Sequence, residues 1–555
     1  MYDLIIRNAK VVDGTGNPWF RGAIAVSGAS IAAVGGVTGE AARVIDANGL
    51  CVCPGFIDVH AHGDFTPFDK TVVDYKLRQG ITTEVNGNCG FSAAPVAPST
   101  VGLVRRYVEG FIAPEQGVPW NWQSLGEYLD SIAHAQLAVN IAPLIGHGAL
   151  RAAAMGYEQR APSAAELDTM KALMRESMEQ GAFGLSTGLV YVPGAYAQTD
   201  EIIDIAKVAA RHGGLYATHM RNEAEQLFEA FDEAIQIGRQ TGIPVQISHH
   251  KAAGKANHGK VRDTLKRLED ERATGLDITV DQYPYTASST TLASVLPPWA
   301  QVGGVPKILE RLRDPATRRE IRAAMVTDPQ HGENMIRGCR WDEILIASVK
   351  SARNKACEGR SLQQIAEMRA EEPLESVFNL LRDEDCAVAM IMFTMAEEDV
   401  RTVMRHPATM IGTDGIWSHG KPHPRIYGTY PRILGTYVRV EGLLSLEEAV
   451  RKMTSFPAQK FGLWKKGIVR EGMDADLVIF DPDTIAERST FQDPHQYPAG
   501  LPYVILNGQV VVDQERYSGK LAGQVVKKPR WPQCQRRLEA EAEAVKGDGV
   551  ASATQ

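Results

Sequence analysis

Between two β-rich ends, this chain alternates eight short apolar runs with amphipathic helical stretches, and few folds can use that pattern. The runs span 56–62, 81–85, 138–144, 183–189, 215–220, 245–249, 278–283 and 410–414. Helical periodicity separates several of them, most clearly at 163–180, 199–212 and 224–241. Ser163 with Glu166 reads as a capping box, and Gly181 as the stop of the first of these helices. Eight strands, each followed by helix, predict an α/β fold: a (β/α)8 TIM-like barrel over residues 55–465.

The ends have a different texture. Strand-like alternation at 2–6, 23–27, 31–34 and 44–46, with turns such as Asp13-Gly14-Thr15-Gly16, returns at 477–480, 503–506 and 510–512. Neither segment is large enough to bury a face alone. We therefore expect residues 1–54 and 466–529 to join in a small β-sandwich domain. The interval 286–407 is too long for a plain loop and has helical pieces at 305–325 and 361–371. It is expected to be a subdomain inserted after barrel strand 7, acting as a lid. Residues 530–555 form a charged, alanine-rich tail, either helix or frayed end.

Composition excludes several function classes. A net charge of -8 over 555 residues, with no long basic run, argues against nucleic acid and anionic membranes as partners. No run reaches the roughly 20 apolar residues of a membrane helix, and MYDLIIRNAKVVDG does not read as a signal peptide. The seven cysteines (Cys51, Cys53, Cys89, Cys339, Cys357, Cys386 and Cys534) are odd in number and scattered, unlike a secreted disulfide framework. A cytoplasmic setting is expected. Oligomeric state is not encoded in these features.

Metal-competent residues recur at the C-terminal ends of the runs, the face where barrel active sites form. His60 and His62 end the first; residues i and i+2 on a strand share a face, so both imidazoles can meet one ion. Cys89 follows the second in Asn86-Gly87-Asn88-Cys89-Gly90, where a thiolate suits zinc. Cys51 and Cys53 precede the first strand, at the wrong end for catalysis, and read as core. His219 ends the fifth. His249 and His250 end the sixth, and because neighbours on a strand face opposite ways, only one of them is expected to reach the axis. Asp414 ends the eighth, in Ile411-Gly412-Thr413-Asp414-Gly415, as the catalytic carboxylate. His147 and His423 are the most interesting of the remaining histidines.

This constellation resembles the amidohydrolase superfamily and, more narrowly, the D-aminoacylase (N-acyl-D-amino-acid deacylase) family. The stretches that carry the resemblance include DVHAHGD, ITTEVNGNCGFSAAP, FGLSTGLVYVPG, YATHMRNE, QISHHKAAG, DQYPYTASST, MIGTDG and HPRIYGTYPRILG. The resemblance implies a tight zinc site of Cys89, His219 and His249, so it selects the first histidine of the pair. It implies a second, weaker site at His60 and His62 with Cys89 bridging, Asp414 as general base and acid, and a substrate carboxylate held by Lys251, Tyr283, Ser289 and Arg425. The implied reaction is hydrolysis of the linear amide of a small N-acyl-D-amino acid by metal-activated water. Two rival readings remain: opening of a cyclic amide (dihydroorotase- or hydantoinase-like) or deamination on the same barrel, and a non-catalytic barrel. No lysine stands at a matching strand end to serve as a carboxylated bridge, which favours cysteine in that role.

Overall fold

Parallel pairing of eight strands builds the centre of the molecule. The computed structural model describes residues 1–69, 71, 73–108, 117–327, 333 and 335–529. The barrel strands are Phe56–Asp58, Ile81–Asn86, Asn140–Pro143 with its continuation Ile145–Gly146, Gly184–Gly188, Leu215–His219, Val245–Ile247, Ile278–Gln282 and Thr409–Ile411. Each pairs in parallel with the next. The third is divided at Leu144, so its first half pairs with the second strand and its second half with the fourth.

Closure falls between the eighth strand and the first, where the ladder is sparse. The Asp414 N–H donates to the carbonyl of His60 at 2.7 Å, and Ala61 and Gly415 form a parallel bridge. The Asp58 carboxylate stands in for a missing carbonyl, accepting the Thr413 N–H at 2.8 Å. Tyr430 clamps the same seam from outside. Its hydroxyl donates to the carbonyl of Ile57 (2.9 Å) and reaches that of Ile411 (3.1 Å), while its ring stacks on Phe56 at 5.2 Å.

Helices surround the strands and bury an apolar layer that includes Met170, Met174, Ile202, Phe231 and Leu265. Helix Ala164–Gln180 carries both reciprocal bonds of the Ser163/Glu166 capping box, and Gly181 ends it in the left-handed region at φ 114°. Inside the barrel, Val59, Val85, Leu144, Phe183 and Met410 pack with Phe461 and Leu463.

Strands from the two chain ends pair across Cys51–Pro54 and Leu477–Phe480, antiparallel. All nine terminal strands are hydrogen-bonded into one sheet, so the expected sandwich takes the form of a single sheet with two buried faces. One face buries Leu4, Ile6, Ile24, Leu477, Ile479 and Ile505. The other sets Cys51, Cys53, Val478 and Phe480 against the barrel's Leu77, Ile81 and Tyr430. Alternation with period two supplies both faces from the same strands.

The insertion after barrel strand 7 is a three-stranded antiparallel sheet (Ser288–Thr291, Val388–Met392, Ile344–Val349) covered by helices, with its own core around Ile308, Leu312, Ile346 and Phe378. Two expectations are corrected. The helix expected at 305–325 is two, Val305–Arg313 and Pro315–Thr327, because Pro315 forces Asp314 into an extended conformation (ψ 117°). Helix Glu397–Arg405, inside the expected insertion, buries Val403 in the barrel layer and so belongs to the barrel. The 530–555 tail lies outside the described residues. Among those described, no helix is long and apolar enough to cross a membrane.

Removing the Tyr430 hydroxyl takes a buried donor from the closing seam. Tyr430→Phe is expected to lower unfolding free energy by about 1 to 2 kcal/mol, read as a shift in denaturant midpoint at unchanged slope; no shift would show that the seam does not depend on this hydroxyl.

Candidate metal centre and active site

The loop after the second strand delivers Cys89 to the barrel mouth only because glycines let it pass. Cys89 holds φ 52°, in the left-handed region that strains a side-chain-bearing residue. A Cβ on Gly188 would lie 2.1 Å from the Cys89 carbonyl oxygen, and one on Gly146 2.3 Å from that of Gly90. The Asn88 side chain ties the loop back by donating to the carbonyl of Val85 at 2.8 Å. The sulfur then stands 3.2 Å from His60 Nε2, 3.5 Å from His249 Nε2 and 3.8 Å from His219 Nδ1. Histidines from three barrel strands therefore converge on the sulfur supplied from a fourth.

Each histidine has a carboxylate behind its other nitrogen. His60 Nδ1 lies 3.3 Å from Asp281 Oδ1. Glu223 backs the other two, with Oε1 3.1 Å from His249 Nδ1 and Oε2 3.5 Å from His219 Nε2. Lys251 Nζ donates to Glu223 Oε2 at 2.6 Å and lies 2.7 Å from His249 Nδ1. Carboxylates placed in this way fix ring orientation and raise the basicity of ligating imidazoles.

The His249/His250 ambiguity is settled by the backbone. Asp281 Oδ1 accepts the His249 N–H at 2.7 Å, the strand stops at Ile247, and His249 turns to φ 34° with its ring toward the axis. His250 faces outward and pairs with Thr264 Oγ1 at 2.7 Å.

Asp414, also left-handed at φ 48°, completes the rim. Its Oδ1 lies 3.1 Å from His62 Nε2 and 3.4 Å from His60 Nε2, and its Oδ2 lies 2.8 Å from Arg425 Nη1. Burial pushes the Asp414 carboxyl up, but Arg425, His60 and His249 more than offset it and hold the group well below its ordinary range. The same balance acts on Cys89: burial raises the thiol, while His60 and His249 beside it bring it well below the ordinary thiol value.

The remaining sequence candidates sit around one cavity. Lys251, Tyr283 and Ser289 line it together with Tyr191, His219, His249 and Asp414. The Tyr283 hydroxyl is buried without a hydrogen-bond partner among the described residues, and Arg425 stacks on its ring at 4.5 Å. Arg425 Nη2 also donates to the carbonyl of Ser289 at 3.2 Å, and Ser289 Oγ to that of Met390 at 2.9 Å. His423 Nδ1 accepts the Arg425 N–H at 3.0 Å at the start of helix Arg425–Arg432, whereas His147 belongs to a separate buried cluster with Glu201.

The donor set fits zinc. Tetrahedral bonds of about 2.3 Å to sulfur and about 2.0 Å to nitrogen leave ligand atoms roughly 3.5 Å apart, matching the 3.5 and 3.8 Å from Cys89 to His249 and His219. Among the described residues, His60, Cys89, His249 and Asp414 form one group able to hold an ion, and His219, Glu223 and His249 another. In the second group the nitrogens facing Glu223 are the ones turned away from Cys89, and Lys251 already neutralises that carboxylate; we read Glu223 as an orienting group. Sequence reasoning missed Glu223 and Asp281. The signals were there: Glu223 follows His219 by four residues, and Asp281 is a lone charge inside an otherwise uncharged strand.

Comparison with known proteins places the chain in a family. The Amidohydrolase family model matches residues 43–512. A D-aminoacylase of Alcaligenes xylosoxydans xylosoxydans is 36% identical over 531 residues, covering 95% of this chain and 97% of its own. An N-acyl-D-glutamate deacylase of Bordetella bronchiseptica, solved with zinc and a phosphonate mimic of the tetrahedral intermediate, is 34% identical with TM-score 0.80 over 95% of this chain and 99% of that one. A solved D-aminoacylase with a binuclear metal centre is 36% identical, with TM-score 0.79 over 95% and 100%. A D-hydantoinase structure, at 15% identity and TM-score 0.55, shares the fold alone. The fold is thus of the TIM-barrel type, and this chain belongs to the amidohydrolase family, among the D-aminoacylases.

Proposed function

We propose that this protein is a zinc-dependent N-acyl-D-amino-acid deacylase, which hydrolyses a linear amide to a carboxylate and a D-amino acid. The observation that carries the reading is the ring of His60, His219 and His249 around the Cys89 sulfur, with Asp414 at its edge and Lys251 and Tyr283 opening into the same cavity. In this reading Cys89, His219 and His249 hold the tight zinc, and His60 and His62 a weaker second one with Cys89 shared.

When bound, zinc supplies Lewis acidity, which makes water a competent nucleophile at neutral pH and polarises a carbonyl. Asp414 handles the protons. Arg425 engages Oδ2, leaving Oδ1 toward His60 and His62 to take a proton from water and return one to the departing nitrogen. Tyr283 offers a buried hydroxyl that lacks a partner among the described residues, and a group in that state is best satisfied by a ligand. With Lys251, Ser289 and Arg425, it binds the substrate's carboxylate and orients the amide.

The domain division that supports this reading is residues 1–54 with 466–529 as the terminal β domain, 55–465 as the barrel, and the part of the 286–407 interval before helix Glu397–Arg405 as the source of a lid. A cytoplasmic setting is supported by the free state of every described cysteine. The partner is a small molecule.

A panel of N-acetyl-D-amino acids, their L-isomers and cyclic amides tests the reaction directly. Preferential hydrolysis of the D series is expected, and turnover confined to cyclic amides would overturn the reading. Asp414→Asn is expected to lower kcat by on the order of 10³-fold with bound zinc unchanged; near-parental kcat would remove Asp414 from the mechanism. Gly188→Ala drives a methyl into the Cys89 carbonyl, so zinc affinity should fall roughly 10- to 100-fold, measured by competition with a chelator. An unchanged affinity would show that the loop is not what positions the sulfur.

A further inference from the structure

A second cavity opens on the other side of the metal cluster, and the mechanism above makes no use of it. Its cavity volume is about 60 Å³, room for a handful of non-hydrogen atoms at the roughly 10–15 Å³ that each water-sized group needs. Its walls are Phe65, Phe91, Val104, Ala152, Tyr157 and Pro193, with Gly90 and Gly148 adding no side chain, and His62 stands at its inner end. It shares no lining residue with the cavity of Lys251 and Tyr283. The two meet where His62, in one, lies 3.1 Å from Asp414, in the other. Phe91 of one wall packs against Tyr191 of the other at 5.2 Å, dividing them.

We propose that this apolar cavity is the acyl-group pocket, built for a medium-length aliphatic or arylacyl chain and not for acetyl alone. The inference rests on the deacylase reading. Besides its oxygen, the planar carbonyl carbon of an N-acyl amino acid carries two substituents, the amide nitrogen and the acyl carbon, that diverge from each other. With the carboxylate gripped beside Lys251 and Tyr283 and the carbonyl at the metal cluster, the acyl substituent runs past His62 into this space. The walls decide the class. Among the described residues they offer aromatic and aliphatic surface and no lysine or arginine, and the buried Asp64 carboxyl in the lining disfavours an acidic acyl group. Val104, Ala152 and Tyr157 belong to one buried apolar cluster, so the pocket is walled by packed side chains.

The test uses the zinc-loaded full-length protein with N-acetyl-, N-butyryl-, N-hexanoyl- and N-phenylacetyl-D-methionine. Each added methylene should raise kcat/KM about three- to fourfold until the pocket is filled. Ala152→Leu and Val104→Phe narrow the pocket from different elements. Each should lower the hexanoyl-to-acetyl ratio of kcat/KM by about tenfold or more, and leave the ratio of N-acetyl-D-methionine to N-acetyl-D-alanine unmoved. Ratios within one preparation cancel any loss of folded protein. A flat or falling chain-length series in the parent overturns the proposal. So does a variant that moves the side-chain ratio in place of the acyl ratio, since the cavity would then take the amino-acid side chain. Absence of turnover on every N-acyl-D-methionine, acetyl included, is a failure of the deacylase reading itself and is distinguished by that arm.

Discussion

Ionisable groups buried at the centre of a protein must answer one another, because an unpaired charge there costs more than apolar packing returns. The mouth of this barrel is built on that constraint. Glu223, Lys251, His249, His60, Asp281, Asp414 and Arg425 are all buried, and each has an opposite or hydrogen-bonding partner within about 3.5 Å. A second layer lies beneath, where Lys76 bonds Asp58, donates to Thr413 Oγ1 at 3.0 Å and approaches Glu84 at 3.5 Å. Asp58 also closes the barrel seam through the Thr413 N–H. The electrostatics of the site and the closure of the fold therefore share residues.

Backbone strain is concentrated in the same place. Cys89, His249 and Asp414 all hold φ between 34° and 52°. Each lies just past a strand end, where a left-handed turn swings the side chain over the barrel axis instead of along the strand. Strain of this kind persists only where the surroundings over-determine it. Here the Gly188 gap, the Asp281 carboxylate and the His60 carbonyl do so in turn.

Architecture divides labour along the substrate path. The barrel supplies the cluster, the insertion supplies Ser288, Ser289, Met335 and Met392 to the carboxylate-side cavity, and the loops after the first to fourth strands wall the apolar one. Nothing of the terminal sheet lines either cavity. Its contribution is a second apolar face, against which the barrel's first and second strands and Tyr430 pack.

Much of this was legible in the chain. Strand runs ending in His, Cys or Asp mark the barrel and its chemical face because period-two alternation and apolar burial are local properties. The Ser163/Glu166 cap and the Gly181 stop are equally local, and the structure bears them out. The orientation of His249 over His250 was not legible from the residues, since it depends on a bond from Asp281, 32 residues away. The parts played by Glu223 and Asp281 were hidden for the same reason: what a buried carboxylate does is set by which distant strand lies beside it. The split of the 305–325 helix could have been read from Pro315, whereas the assignment of Glu397–Arg405 to the barrel could not. Residue types and spacing determined which side chains stand at the barrel mouth. Only tertiary packing, by deciding what each one faces, settled how they are aimed.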